Sequence, residues 1–494
     1  VNWRTAKPLE VINFEGEPPL TVHQWLAAAR ELLESGVRPV AMFSRTSDIG
    51  VRVWIAFAAP LSGEIYLTST VFVGEDQRAY SALSIDFACM NYFECELYEQ
   101  TGIEPLQHPW LRPVRTADPW RKNDGSYLFY RVEGEEVHEV AVGPVHAGVI
   151  EPGHFRFQCH GEEILHLEIR LGYQYRNVEE ILPRLKRTQQ IVLVESIAGD
   201  SVIAHATAFC SAIETLAGVS APLRDQAVRS IAAEMERVAM HLSTLSGIAT
   251  DISFALPSAA FGALRTAVIN LTAAICGNRF GRGWIVPGGV RFDLDQALVE
   301  QTRRVLTEVL AKFADVAALF LDAQSTLGRL EGIGVVTTSQ ARLAGLVGLA
   351  ARASGVAYDV RADFPYGAYR YSSIASPTLE TGDVYARTRL RALEIHNSVR
   401  FILEQLDHLP VPKPRPALAK LAKNAFTVAL TEGHRGEIAH VLFTDAEGQL
   451  ARAKIKDSSF HNWHGLALAV RENGISDFPL CNKSFDLSYA GHDL

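Results

Sequence analysis

The chain has 494 residues and no apolar run long enough to cross a bilayer. Its best stretches, Ala267 to Cys276 and Leu343 to Ala351, reach about half of the ~20 residues a spanning helix needs. Membrane association is therefore expected to go through a partner. The six cysteines, Cys89, Cys95, Cys159, Cys210, Cys276 and Cys481, form no C-x-x-C pair, which argues against both a disulfide scaffold and a zinc or cluster site. A reducing cytoplasm fits that usage. The net charge of -9 gives no basic footprint, and no Lys/Arg stripe carries interleaved aromatics, so nucleic-acid binding is not expected. The opening residues, VNWRTAKPLE, lack the apolar core of a secretory signal. Internal repeats and low-complexity segments are absent.

What is present reads as globular: 48% of residues are hydrophobic and 21% charged, over a length too great for one ordinary core. Residues 1–118 predict a small α/β domain. Thr21 precedes a helical pattern (Val22, Trp25, Leu26, Ala29, Leu32, Leu33), β-rich runs follow at 40–43, 51–57 and 65–73, and a second helical pattern covers 85–98. Pro113 to Gly125 is the linker, and 119–142 leads into the second domain, 143–494. That domain opens with a loop carrying His146 and His154, then two short apolar runs, His154 to Cys159 and Ile164 to Leu171, laid out as a β-hairpin. Arg176 and Glu179 follow, three apart on a helical pattern, where the simplest expectation is an ion pair. Long helices are expected over 185–217, 221–247, 252–279 and 296–320, with Glu234, Glu236, Arg237 and His241 set among apolar residues. Strand-like runs at 426–430, 438–443 and 451–455 come near the end. The fold class expected is α+β, a small N-terminal α/β domain followed by a hairpin-bearing domain built on a helix bundle.

Gly143-Pro144-x-His146, Glu151-Pro152-Gly153-His154-Phe155-Arg156 and Arg176-Asn177-x-Glu179 resemble the large subunit of membrane-bound [NiFe] hydrogenases of the formate-hydrogenlyase type and its relative, the 49-kDa subunit of respiratory complex I. Val286 to Arg291, His434-Arg435-Gly436-Glu437 and Ser458 to Asn462 extend the likeness, and His108-Pro109-Trp110-Leu111-Arg112 resembles the 30-kDa subunit that is fused in formate-hydrogenlyase enzymes. The resemblance implies two Cys-x-x-Cys pairs holding nickel and iron. Here Ala198, Ser201, Ser488 and Gly491 occupy those four positions, so no metal centre is expected. Complex I lost the same cysteines and places a quinone there, but its tyrosine falls at Gly199.

The likeness thus points to the energy-converting hydrogenase-related complexes. It implies a peripheral subunit at the cytoplasmic face of the cell membrane, partnered by a small iron-sulfur subunit and by integral membrane ion-translocating subunits. No cofactor is expected on the chain itself; the iron-sulfur cluster lies in the partner, and quinone is the candidate acceptor. His146, Arg176, Glu179 and Asp200 are the candidate catalytic residues, with His146, Glu179 and Asp200 the candidate proton donors, and His146 with His154 the candidate quinone contacts. His146, Glu179 and Asp200 are expected to line one cavity if the chain passes electrons to quinone or another small acceptor. The alternative is an inactive scaffold joining the iron-sulfur and membrane subunits. Asp200, Ser201, Asp486 and Ser488 could either hold a hard cation or fill a vacated pocket by hydrogen bonding.

Overall fold

The computed structural model describes residues 3–14, 18–47, 49–74, 78–115, 127–146 and 150–494. Most of the expected linker, 116–126, lies outside the described residues. The fold is α+β.

Near the N-terminus, four antiparallel strands lie in the order Arg4–Ala6, Glu64–Phe72, Gly50–Ala59, Arg38–Ser47. The helix Val22–Glu34 covers one face, entered through a capping box in which the Thr21 hydroxyl accepts from the Gln24 N–H. The strand Gly50–Ala59 is apolar almost throughout because both of its faces are covered. Val53, Ile55 and Phe57 point to the helix, where Trp25, Ala29 and Leu32 pack. Trp54, Ala56 and Ala58 alternate to the other face, against Phe426 and Phe443 of a second sheet.

That second sheet holds the strands seen in the sequence near the end of the chain, in the antiparallel order Leu450–Lys456, Gly436–Thr444, Ala425–Gly433. Its fourth member was not foreseen: Ile12–Asn13 pairs with Phe426 and Ala425. The two sheets are also clamped by charge. Glu437 accepts from Arg38 at 2.8 Å, and from Tyr358 and Lys456; Glu437, Tyr358 and Lys456 are buried and Arg38 is half-buried.

The bundle comprises Val202–Leu216, Leu223–Asp251, Ala255–Cys276, Gln296–Leu321 and Val384–Asp407. The single helix expected over 185–217 is instead broken into Arg187–Val194 and Val202–Leu216. Between them the Glu195 carboxylate turns away to accept from the Gly283 N–H at 2.7 Å, and the Glu236 carboxylate accepts from the first N–H groups of the next helix, Ile203 and Ala204. A side chain from a neighbouring helix thus takes the capping role, which local periodicity cannot show. Ala255–Cys276 also exceeds the sequence expectation: it is long and apolar enough to span a bilayer by length and composition. Here it packs within the bundle, with Phe261, Leu264 and Val268 in the core.

Glu234, Arg237 and His241, on the Leu223–Asp251 helix, are buried and paired across the bundle. Arg237 meets Glu234 and Glu394, both at 3.2 Å; His241 Nε2 meets Glu394 at 2.7 Å; Arg361 meets Glu234 at 3.0 Å and Asp359 at 2.7 Å. Burial opposes ionisation of Glu394, but the Arg352 and Arg237 cations outweigh it and hold the carboxyl well below its usual range. Such a network contributes little net energy while complete, yet the loss of one member leaves an unpaired charge in the core.

Candidate functional site

Three segments meet where the family resemblance places its chemistry: the loop before the hairpin, the break at 195–201, and the last residues of the chain. The hairpin pairs His154–His160 with Glu163–Arg170 in antiparallel register, Phe155 opposite Ile169. Its leading loop is fastened by its own histidines. His146 Nε2 donates to the Gly153 carbonyl at 2.8 Å, and His154 Nδ1 donates to the Gly143 carbonyl at 3.2 Å. Gly143 has φ +82°, and a Cβ there would stand 2.2 Å from the Gly153 oxygen, so only glycine allows the two sides this close. Burial, helped by the nearby Arg156 charge, lowers the His154 pKa.

Arg176 and Glu179 do not pair, because Asn177 takes a left-handed φ of 58° and the helix begins only at Val178. Arg176 instead donates to the carbonyls of Ser196 (2.5 Å), Ile197 (2.9 Å) and Ala490 (3.2 Å), and its N–H donates to Leu494 O. It satisfies orphan carbonyls after the Arg187–Val194 helix and ties them to the C-terminal segment. Glu179 accepts from Lys454 Nζ at 3.0 Å, the Ile455 N–H at 2.8 Å and Gln100 at 3.1 Å. Lys454 reaches on to Glu96, which pairs with Arg115. Burial drives the Lys454 pKa down to about 7, with Glu179 holding it from falling further. Burial resists ionisation of Glu179, but Lys454 and Arg115 prevail and its pKa is lowered.

Asp200 is gripped bidentately by Arg435, at 2.8 and 2.5 Å. Arg435 also donates to the Asp486 main-chain carbonyl and stands 4.0 Å from its carboxylate. Asp486 in turn accepts from Thr244 (2.5 Å) and Lys483 (2.9 Å). The expectation that His146, Glu179 and Asp200 line one cavity is therefore corrected. Glu179 borders a small void with Glu99, Arg115 and Tyr175; Asp200 borders another with Met235, Glu236 and Arg279; His146 borders neither. Each carboxylate is captured by a cation from a different element.

At the four positions implied for metal-binding thiolates, the donors are committed elsewhere. Ala198 and Ser201 are buried. Ser488 caps the short terminal helix, its Oγ accepting from the Gly491 N–H at 2.9 Å, and its own N–H donates to Ser459 Oγ at 3.0 Å. A Cβ on Gly491 would lie 2.8–3.1 Å from the Asp457 carboxylate. Asp457 is itself fixed, accepting from the Ser459 N–H (2.7 Å) and His205 Nε2 (3.0 Å), with His440 Nε2 3.1 Å from His205 Nδ1. A nickel-iron pair does not fit these residues: the soft ligands are missing and a buried carboxylate takes up the space. Among the described residues, no group of three or more His, Cys, Asp or Glu converges as metal ligands. Gly491→Cys is expected to cost roughly 1–3 kcal/mol of stability through overpacking, seen as a lower thermal midpoint, without conferring nickel binding, checked by melting and elemental analysis.

Sequence reasoning did not single out Lys454, Glu96, Asp457, His205 or His440 as site residues. Arg435, Asp457 and Ser459 lie in or beside the segments quoted for the family resemblance, the only signal that pointed to them. Lys454 and His440 lie on strands whose apolar neighbours gave no hint of a charged site.

Residues 251–425 match the family described as respiratory-chain NADH dehydrogenase, 49 Kd subunit. A carbon monoxide-induced hydrogenase of Rhodospirillum rubrum is 30% identical over 350 residues, covering 71% of this chain and 97% of the relative. The chain belongs to the family of complex I 49-kDa subunits and their hydrogenase relatives. Formate hydrogenlyase subunit 5 of Escherichia coli is 29% identical over 450 residues, 87% of this chain and 79% of that protein. NADH-quinone oxidoreductase subunit 4 of Thermus thermophilus is 28% identical over 378 residues, 71% and 92% of the two chains. This 49-kDa-type chain thus has relatives that are subunits of complex I-like and hydrogenase-related membrane complexes.

Proposed function

We propose that the chain is a metal-free peripheral subunit of a membrane-bound oxidoreductase complex, joining a small iron-sulfur subunit to integral membrane subunits that move ions, at the cytoplasmic face. The observation that carries this reading is Gly491 packed on the Asp457 carboxylate, where a hydrogen-bonded plug stands in place of thiolates. Arg176 and Arg435 serve the same end, fastening the break at 195–201 to the C-terminal segment. The test is to purify the complex from membranes. The chain should co-purify with an iron-sulfur protein and membrane subunits and hold no stoichiometric nickel; about one nickel per chain, or a chain found free of membranes while its partners are expressed, would overturn the proposal.

A second reading, in which the complex passes electrons to quinone or another small acceptor and couples this to ion movement, draws on one observation. Glu179, Lys454 and Glu96 form a buried chain of proton-carrying groups beside a small void, with the Lys454 pKa at about 7. Glu179→Gln keeps the shape and removes the carrier. Under this reading it abolishes coupled activity in the assembled complex while assembly is kept; under the first reading activity is unchanged.

A further inference from the structure

A sizeable cleft among the described residues lies away from the family site. With a volume of about 450 Å³, it opens between the end of the N-terminal unit (Trp110, Arg112), the strand Glu163–Arg170 (His166) and the helix Ser459–Ala469 with the turn after it (His464, Arg471). It falls within the ~300–1,000 Å³ range of small-molecule sites. None of His146, Arg176, Glu179 or Asp200 lines it.

Its chemistry runs against that of the whole chain. The protein carries a net charge of -9, yet two arginines converge here beside His166 and His464. Their convergence is shown by mutual influence. Burial lowers both imidazole pKa values, and the charges of Arg112 and Arg471 act on His464 and His166 alike. Glu168 acts on Arg112 and His166, and it is already engaged by Tyr127, the Tyr130 N–H and Arg112. Among the described residues the Arg471 guanidinium has no hydrogen-bond or ion-pair partner and the His166 and His464 imidazoles have no hydrogen bond; only the Arg471 main-chain carbonyl accepts, from Asn473. The walls are aromatic: Trp110 stands edge-on to Tyr130 at 5.6 Å, Tyr130 lies 4.7 Å from the His166 ring, and Arg112 sits over Tyr92.

An uncommitted guanidinium beside flat aromatic walls suits an anion attached to a planar ring. Arginine pairs with phosphate through its fork of donors, and planar bases stack on aromatic side chains. We propose that this cleft binds a planar-ring phosphate of the nucleoside monophosphate class, with the phosphate on Arg471 and the ring against Tyr130 and His166.

Calorimetric titration of the full chain with AMP, adenosine and inorganic phosphate tests it. AMP is expected to bind at least tenfold more tightly than either fragment. Arg471→Gln, at an exposed and unpaired side chain, should weaken AMP tenfold or more with no change in melting. Tyr130→Leu should weaken AMP while leaving phosphate binding as it is. The proposal is overturned if AMP fails to bind, binds no tighter than phosphate alone, or binds the Arg471→Gln chain as well as the wild type.

Discussion

Arg352→Met is expected to lower the thermal midpoint by several degrees, on the order of 3–5 kcal/mol of lost stability, the range for removing one partner from a buried ion pair. Arg352 lies at 1% exposure and its guanidinium meets Asp359 at 2.8 Å, Glu432 at 3.4 Å and Glu394. Burial, with the like charge of Asp359, already raises Glu432 to about 8, so that group can go protonated at neutral pH. Asp359 and Glu394 have no such recourse, because their carboxyls are held ionised by this cation and by Arg361 and Arg237. Methionine fills the volume but leaves the carboxylates in a medium that solvates them poorly. Arg184→Met is the control: its pair with Glu180 is exposed, and its loss should be within ~0.5 kcal/mol. Equal melting of the two variants would show that the buried network is solvated by other means.

The second large effect is one of pH. Burial pushes the Glu437 carboxyl up, but Arg38 and Lys456 outweigh it and bring it from 4.5 down to about 2. Its folded pKa lies below the unfolded one, so the unfolded chain binds the proton first. The stabilisation is fully present above pH 4.5 and is lost as pH falls from 4.5 towards 2. Because Glu437 clamps Arg38 of the first sheet to the second, the loss should appear as separation of the two sheets. Trp54, packed between Phe43, Phe426 and Phe443, reports it through its fluorescence. Glu437→Gln should be less stable at neutral pH and show a smaller change across that window. An identical acid profile in both proteins would assign the transition to other carboxylates.

Much of the fold was legible because it rests on local pattern. The capping of Val22–Glu34, the hairpin, the long helices and the last three strands all follow from periodicity and turn residues close in sequence. The α+β class and the family followed from motifs of a few residues. What was not legible depends on partners far apart in the chain. Glu179 finds Lys454 275 residues away, and Asp200 finds Arg435 235 residues away. The spacing of Arg176 and Glu179 suggested a pair, but a single left-handed residue turned them apart. The vacated metal position was visible as missing cysteines, whereas the Asp457, His205 and His440 network that fills it comes from a loop, a helix and a strand that share no motif.

The pairing of Ile12–Asn13 with Ala425–Gly433 bears on how the chain comes to be made. A ribosome delivers the first strand long before its mate, with more than four hundred residues still to be translated. Until then the aromatic face of the first sheet, Phe43 and Trp54 included, has nothing to cover it, and neither has the waiting strand edge. Both are features that invite misassociation in a nascent protein. Folding in the cell should therefore finish only once residues 425–433 have emerged, and a chain truncated before residue 425 should be a client of chaperones rather than a soluble fragment.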